Sequence, residues 1–455
     1  MQFLSLRNLG YLPVLAVLWA ASAVADEFQK GIDAFNNEDY ETALAHWIPL
    51  AEDGDLNAMY NVGLIYDEGL GVETDKAMAV KWYLAPAAEG DVAAQFNVAT
   101  IYDFGQGVDE DNEKALYWYT AAAMQADEQS QFNLGVMYAN GEGVEIDYRE
   151  SLKWYQLSAD QGHAPAQYNL AHMYDTGAVI PEDNHEAMMW YLKAAAQDDA
   201  DAQYAIALMH DTGDGFIEDN ELAIKWYELA ADQGLVNAQF NLAIMYDVGE
   251  GVPEDNALAI KWYAAAGEQG HQNAQLNLGL MHENGEGTEV DPDLAMQWYR
   301  RAADQGLTDA QYAVALMFDE GVGIEEDNVA AIAWYARAAE QGDADAQNNL
   351  GAMYDAGEGT EEDNAEAVKW YSLAARQGNS IAQNNLGAMY YAGEGIEASK
   401  IEAYKWFFIS GELGNDDGRE NRQYAGKTMD RGDVLKARKL AREWLEEFES
   451  SRSVD

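Results

Sequence analysis

Carboxylates recur at a fixed interval along this chain. Asp67, Asp103, Asp175, Asp211, Asp247, Glu283, Asp319 and Asp355 all fall in one 36-residue register. Seven residues earlier in the same register runs a column of Tyr60, Phe96, Phe132, Tyr168, Tyr204, Phe240, Leu276 and Tyr312, which turns polar at Asn348 and Asn384. Between them lie Leu64, Thr100, Val136, His172, Leu208, Ile244, Leu280 and Leu316. Offsets of 0, 4 and 7 put the three columns on one face of a helix. Aromatic and aliphatic side chains beside a carboxylate row suit a cation carried on an extended or helical peptide segment. The acids fall near helix C-termini, where the helix dipole disfavours negative charge, so capping does not account for them. Two plainer readings stay open: the aromatics pack on their neighbours, and the acids form a solvated face.

Other chemistries find less material. The loop Asp319-Glu320-Gly321-Val322-Gly323-Ile324-Glu325-Glu326-Asp327 clusters carboxylates around glycines, as calcium loops do, yet lacks the D-x-[DN]-x-[DN]-G spacing. Asp327 as a helix cap, with Glu325 and Glu326 at the positive helix end, explains it without an ion. There is no cysteine, which removes thiol nucleophiles, zinc knuckles and disulfides. Seven histidines form no H-E-x-x-H helix and no spaced ligand set, and neither a Gly-x-Ser-x-Gly elbow nor a P-loop occurs. His210 and His282 replace tyrosines of a regular column, and His163 and His271 read as surface turn residues. No catalytic residue, metal site or cofactor is expected.

The elements that must present these columns follow from the same register. Trp82, Trp118, Trp154, Trp190, Trp226, Trp262, Trp298, Trp334, Trp370 and Trp406 are evenly spaced without insertion or deletion. Gln95 to Gln383 keep the step, as do glycine pairs from Gly69-x-Gly71 to Gly393-x-Gly395, broken only where Val179 follows Gly177. A period of this length means a solenoid. Each unit reads as two amphipathic helices. Leu350, Gly351 and Tyr354 stripe the first; Ala367, Trp370, Tyr371, Ala374 and Ala375 stripe the second. Gly357 ends the first, Asp363 or Asn364 caps the second, and Gly378 makes the turn onward. Small residues let the helices approach while the indoles, each burying ~150–250 Å², hold repeat to repeat. Pro86 falls inside a second helix and is expected to kink it. Ala126 and Asp198 stand where the turn wants glycine.

The string Ala346-Gln347-Asn348-Asn349-Leu350-Gly351-Ala352-Met353-Tyr354, followed by Gly357-Glu358-Gly359 and Ala367-Val368-Lys369-Trp370-Tyr371, resembles the Sel-one-like repeat (SLR) family, a relative of the tetratricopeptide repeat. The resemblance recurs ten times over residues 55–414. It implies an all-α, right-handed α-solenoid of about 11 helix-turn-helix repeats, with the first helix of each pair lining the concave surface. Residues 26–54 (Gly31, Tyr40, Ala43, Trp47) resemble a tetratricopeptide unit with a shorter loop. Within 415–455, the stretch Lys436 to Leu445 resembles the family's closing helix. Relatives of this kind serve as adaptors in envelope assembly, signalling, secretion and host contact. The hydrolase activity proposed for cysteine-rich SLR proteins transfers poorly, because the disulfide frame and any nucleophile–base pair are missing.

Residues 1–25 read as a signal peptide. Arg7 is their one charge, Tyr11 to Trp19 is nearly all apolar, and Ala23-Val24-Ala25 offers a cleavage site before Asp26. No later stretch is apolar enough to span a bilayer. The mature chain is thus expected in the periplasm or outside the cell. Its charge is extreme, 81 acidic against 26 basic residues for a net −55, and nearly all of the excess lies in the repeats. This excludes a broad nucleic-acid footprint, which needs cations to displace phosphate counterions. The sequence therefore describes an exported, non-enzymatic protein-interaction scaffold that takes a partner segment bearing Lys or Arg along the concave face. An envelope hydrolase and a calcium-dependent structural protein are the other two classes.

Overall fold

The computed structural model describes residues 11–177 and 179–452. Arg7 and the rest of residues 1–10 lie outside them, so the charged start of the expected signal peptide does too. Among the described residues there are 24 α-helices and no strand. The first helix, Tyr11–Asn36, runs unbroken past Ala25 and pairs with Tyr40–Glu52. Ten regular pairs follow, from Leu56–Glu68 with Lys76–Ala88 to Ser380–Ala392 with Lys400–Glu412. Asp416–Lys427 and Arg431–Arg452 close the chain. By compactness the chain divides into two units, Met1–Trp226 and Tyr227–Asp455. Within each, helix pairs stack one on the next as an α-solenoid.

Local chemistry sets the helix ends. Asp75, Asp111, Asp147, Asp183, Asp255, Asp291, Asp327 and Asp363 each cap a second helix by accepting from a backbone N–H of its first turn. Each of these residues also donates its own N–H to a carbonyl of the preceding first helix, as Asp363 does to Tyr354 O at 2.8 Å. That backbone bond closes the loop whatever the side chain there, which is why His210, His282 and Phe318 are accepted in the tyrosine column. Gly357, at φ 71°, ends its first helix in the left-handed conformation.

The deepest large side chain of most repeats is not the tryptophan but the tyrosine after it. Tyr83, Tyr119, Tyr191, Tyr263, Tyr299, Tyr335 and Tyr371 are essentially fully buried. A small residue of the partner helix makes room: a Cβ added at Gly63 or Gly351 would stand 2.8 Å from the tyrosine ring. The tryptophans reach back onto the preceding repeat, as Trp82 does onto the cluster around Trp47 and Trp118 onto the cluster around Tyr83. They keep one edge near solvent, covered by a cation: Lys193 over Trp190 at 3.4 Å, Lys261 over Trp262 at 3.9 Å, Arg337 over Trp334 at 4.2 Å.

The glutamine column is the other tie between repeats. Gln95 Nε2 donates to Ala87 O, in the last turn of the previous second helix, at 2.8 Å. Gln95 Oε1 accepts from Gln125 Nε2, just beyond the second helix of its own repeat, at 2.9 Å. The same pair of bonds recurs at Gln131, Gln167, Gln239, Gln275, Gln311 and Gln347. At the closing end Arg419 takes the glutamine's place, its Nε donating to Gly411 O at 3.0 Å. The final helix then packs Trp444 edge-on against Trp406 and buries Ala437 and Ala441.

The departures are absorbed. The helix containing Pro86 continues to Ala88 and keeps the 13-residue length of its neighbours. Ala126 and Asp198 take the left-handed turn at φ 67° and 64°. At the equivalent Gly90, Gly162 and Gly342 nothing lies within 4 Å of an added Cβ, so only backbone conformation opposes a side chain there. Ala126→Gly and Asp198→Gly should each stabilise the protein by about 1 kcal/mol, and Gly342→Ala should destabilise it by about as much. Thermal melts followed by circular dichroism decide this; melting temperatures unchanged in all three would mean the turn carries no strain.

Candidate functional site

The repeated acids have a structural partner that their spacing did not reveal. The buried tyrosine one helix on donates its hydroxyl to them: Tyr119 to Asp103 at 3.2 Å, Tyr191 to Asp175 at 3.2 Å, Tyr263 to Asp247 at 3.1 Å and Tyr335 to Asp319 at 3.0 Å. Tyr83 and Tyr371 reach Asp67 and Asp355 at 3.3 and 3.5 Å, and Tyr299 donates to Glu283. A hydroxyl on a fully buried ring needs an acceptor, and a carboxylate at the first helix's last turn supplies it. Where Phe407 replaces the tyrosine, the acid is gone as well and Tyr391 stands in its place.

The aromatic column packs on the same tyrosines. Tyr60–Tyr83, Phe96–Tyr119, Phe132–Tyr155, Tyr168–Tyr191, Phe240–Tyr263 and Tyr312–Tyr335 have ring centroids 5.4, 6.0, 5.9, 5.7, 5.9 and 5.8 Å apart. All six, with Tyr204, are half-buried. His163 and His271, expected on the surface, instead start first helices and lie against Phe132 and Phe240, with centroids 5.0 and 4.2 Å apart. Burial pushes both imidazolium pKa values down.

The three columns converge in clefts between adjacent repeats. One, of about 410 Å³, is lined by Phe132, Val136 and Met137 together with Asp103, Glu110 and Glu142. A second, of about 350 Å³, gathers Tyr168, His172, Asp175, Tyr204, Leu208 and Asp214. The acids crowd one another there. Burial holds the Asp103 carboxyl above its ordinary pKa, and Glu142 and Glu110 push it the same way. Asp247 beside Glu286 and Glu254, and Asp355 beside Glu394 and Glu362, repeat the arrangement. The cations stand elsewhere. No first helix of the ten repeats, and no loop after one, contains lysine or arginine; within the repeats they sit on second helices. This one-sided charge was legible as composition within each repeat, once the two helices were told apart.

The loop from Asp319 to Asp327 is committed internally. Asp319 accepts from Tyr335, Glu326 from Asn328, and Asp327 caps its helix. Among the described residues no three histidine or acidic side chains are gathered to hold a metal ion.

The tandem helix pairs and the open clefts between them define a helical-repeat scaffold for protein interaction. Ten consecutive segments, from residues 56–91 to 380–415, match the Sel1 repeat, and the chain belongs to the Sel1 repeat family. Among solved structures it is similar to c5321, a protective antigen of uropathogenic Escherichia coli strains displaying an SLR fold. The two are 32% identical over 89% of this chain and 95% of that one, with a TM-score of 0.64. A Sel1 repeat protein from Oxalobacter formigenes is 34% identical over 68% of this chain and 90% of its own, with a TM-score of 0.54. Comparison with curated proteins gives no match.

Asp247→Asn tests the electrostatics of the face. It keeps an acceptor for the Tyr263 hydroxyl and deletes the crowded charge, so it should raise the melting temperature at pH 7. Because the folded pKa of Asp247 lies above the unfolded one, the ionised carboxylate costs stability at high pH, and that cost fades as pH falls through the raised pKa. The advantage of Asn should shrink in step. Asp247→Leu, which orphans the hydroxyl, should lose about 1–3 kcal/mol. A benefit of Asn that stays constant from pH 7 to pH 4 would rule out charge as its cause.

Proposed function

We propose that the protein is an exported, non-catalytic scaffold that binds a partner segment bearing Lys or Arg along the face formed by its first helices. The observation that carries this reading is the recurrence of clefts joining half-buried aromatic rings, aliphatic side chains and crowded carboxylates, on first helices and loops that contain no lysine or arginine. Apolar walls with like charges give affinity from burial and selectivity from charge. A net charge of −55 disfavours nucleic acid as the partner. Export rests on residues 1–25, with Arg7, the apolar run and Ala23-Val24-Ala25 before Asp26; the periplasm or the cell exterior is the destination.

Photo-crosslinking residues placed at Val136 and Leu208 should trap the same protein partner in cells, while one at Tyr117, exposed on a second helix, should not. Leu208→Arg, placing a cation in the cleft, should abolish the trapped product without altering the melting temperature. Crosslinking that is equal at all three positions would rule out the face. Intact mass of the exported protein should place its first residue at Asp26; a chain retaining Met1 would reject cleavage there.

A further inference from the structure

Two of the first helices are headed by histidine where their neighbours are headed by an acid or an amide. Asp55, Asp91, Asp127, Asp199, Asp343 and Asn379 each cap a first helix, a side-chain oxygen accepting a backbone N–H of its first turn. His271 does this with nitrogen. Its Nδ1 accepts from the N–H of Ala274, a residue without solvent exposure, at 3.2 Å. His163 takes the same backbone conformation, at φ −67° and ψ 110°, and its Nε2 lies 3.1 Å from Gln129 Oε1. Gln129 Nε2 is turned to Asn133, so its oxygen faces the imidazole and can only accept. Nε2 of His163 therefore carries the proton, and the bare Nδ1 is buried without a partner.

A capping oxygen and a capping imidazole behave differently in acid. A protonated carboxyl keeps a lone pair for the helix and an amide does not titrate, whereas an imidazolium has two N–H groups and no acceptor. At His271 the added proton would face the Ala274 N–H; at His163 it would be sealed in with nothing to receive it. The positive end of the helix dipole opposes the charge as well. Phe132 and Phe240 can tolerate a cation beside their rings, but they cannot supply the missing acceptor. Charged groups nearby are few. Glu128, on the preceding first helix, favours the charged form of His163 without overcoming burial, and burial alone acts on His271. Asp160 and Glu268, at the ends of the preceding second helices, are engaged by Gln156 and Arg301.

We propose that His163 and His271 make two of the repeat joints acid-labile, mild acid uncapping their first helices while joints headed by Asp or Asn stay closed. Stability from the two histidines is complete above the ordinary imidazole pKa of ~6.5 and is lost as pH falls through the lowered folded value. Phe132, which packs on His163, also lines the cleft of about 410 Å³, so one of the two joints lies beside that cleft. The device belongs to the fold and does not depend on what the face binds.

Amide hydrogen exchange of the full chain, followed by mass spectrometry at pH 7.5 and 5.5 and corrected for intrinsic rates, tests this. Protection over 164–170 and 272–278 should fall by about fivefold to tenfold in acid, because a released imidazole gains its proton there. Segments 344–350 and 380–386, behind Asp343 and Asn379, should keep theirs. His163→Asn with His271→Asn supplies acceptors that do not titrate, so the acid response should vanish from both segments. The melting temperature of this variant at pH 7.5 checks its fold. Equal loss in all four segments, loss in none, or a loss that survives the double substitution overturns the switch. Should the variant not fold, the four segments of the parent protein decide alone.

Discussion

A buried tyrosine hydroxyl governs this protein. Most repeats close around a tyrosine ring with almost no solvent access, and the phenol of that ring must find an acceptor inside. The first helix supplies it at its last turn, where a carboxylate is unfavourable for the helix dipole but favourable for the hydroxyl. Packing therefore places a negative charge at the same point of nearly every repeat. Asp103, Asp175, Asp247 and Asp355 share the consequence, carboxyls raised in pKa by burial. What looks like a binding stripe is in the first place a solution to a packing problem, and the clefts inherit their charge from it.

The second dependency runs between repeats. Buried glutamines join the end of one second helix to the next pair, and the indoles cover the seam beside them. The scarce cations are drawn to those indoles, as with Lys193, Lys261, Arg301 and Arg337, and to glutamates one turn away on the same helix, as with Lys153 and Lys369. Both arrangements hold positive charge on the second helices. The first-helix face is left acidic because its neutralising partners are committed to the other helix of each pair, with Lys76 the exception.

Much of the fold was legible because it is periodic. The tryptophan, glutamine and glycine registers announce helix pairs, and capping aspartates such as Asp363 and turn glycines such as Gly378 mark their ends by short-range chemistry. Less legible are the residues whose role depends on a neighbour 16 or 31 residues away. His163 and His271 lie against rings of the preceding repeat, which no local pattern encodes. The tryptophans, the larger rings, mark the repeat in the sequence, yet the tyrosines sit where two helices meet and the indoles where a seam opens toward solvent.

The sequence by itself determined the helical repeat, its count and phase, the family and the distribution of charge, since all of these rest on residue types at fixed spacing along one chain. Only the tertiary structure decided what the acids do. It brought Asp247 to the hydroxyl of Tyr263 and, nearby, to Glu254 and Glu286, and it set Lys76 on Asp67. Spacing fixes which face a side chain is on. Whether its charge is satisfied, crowded or open depends on which helices fold against that face, and that is a property of packing.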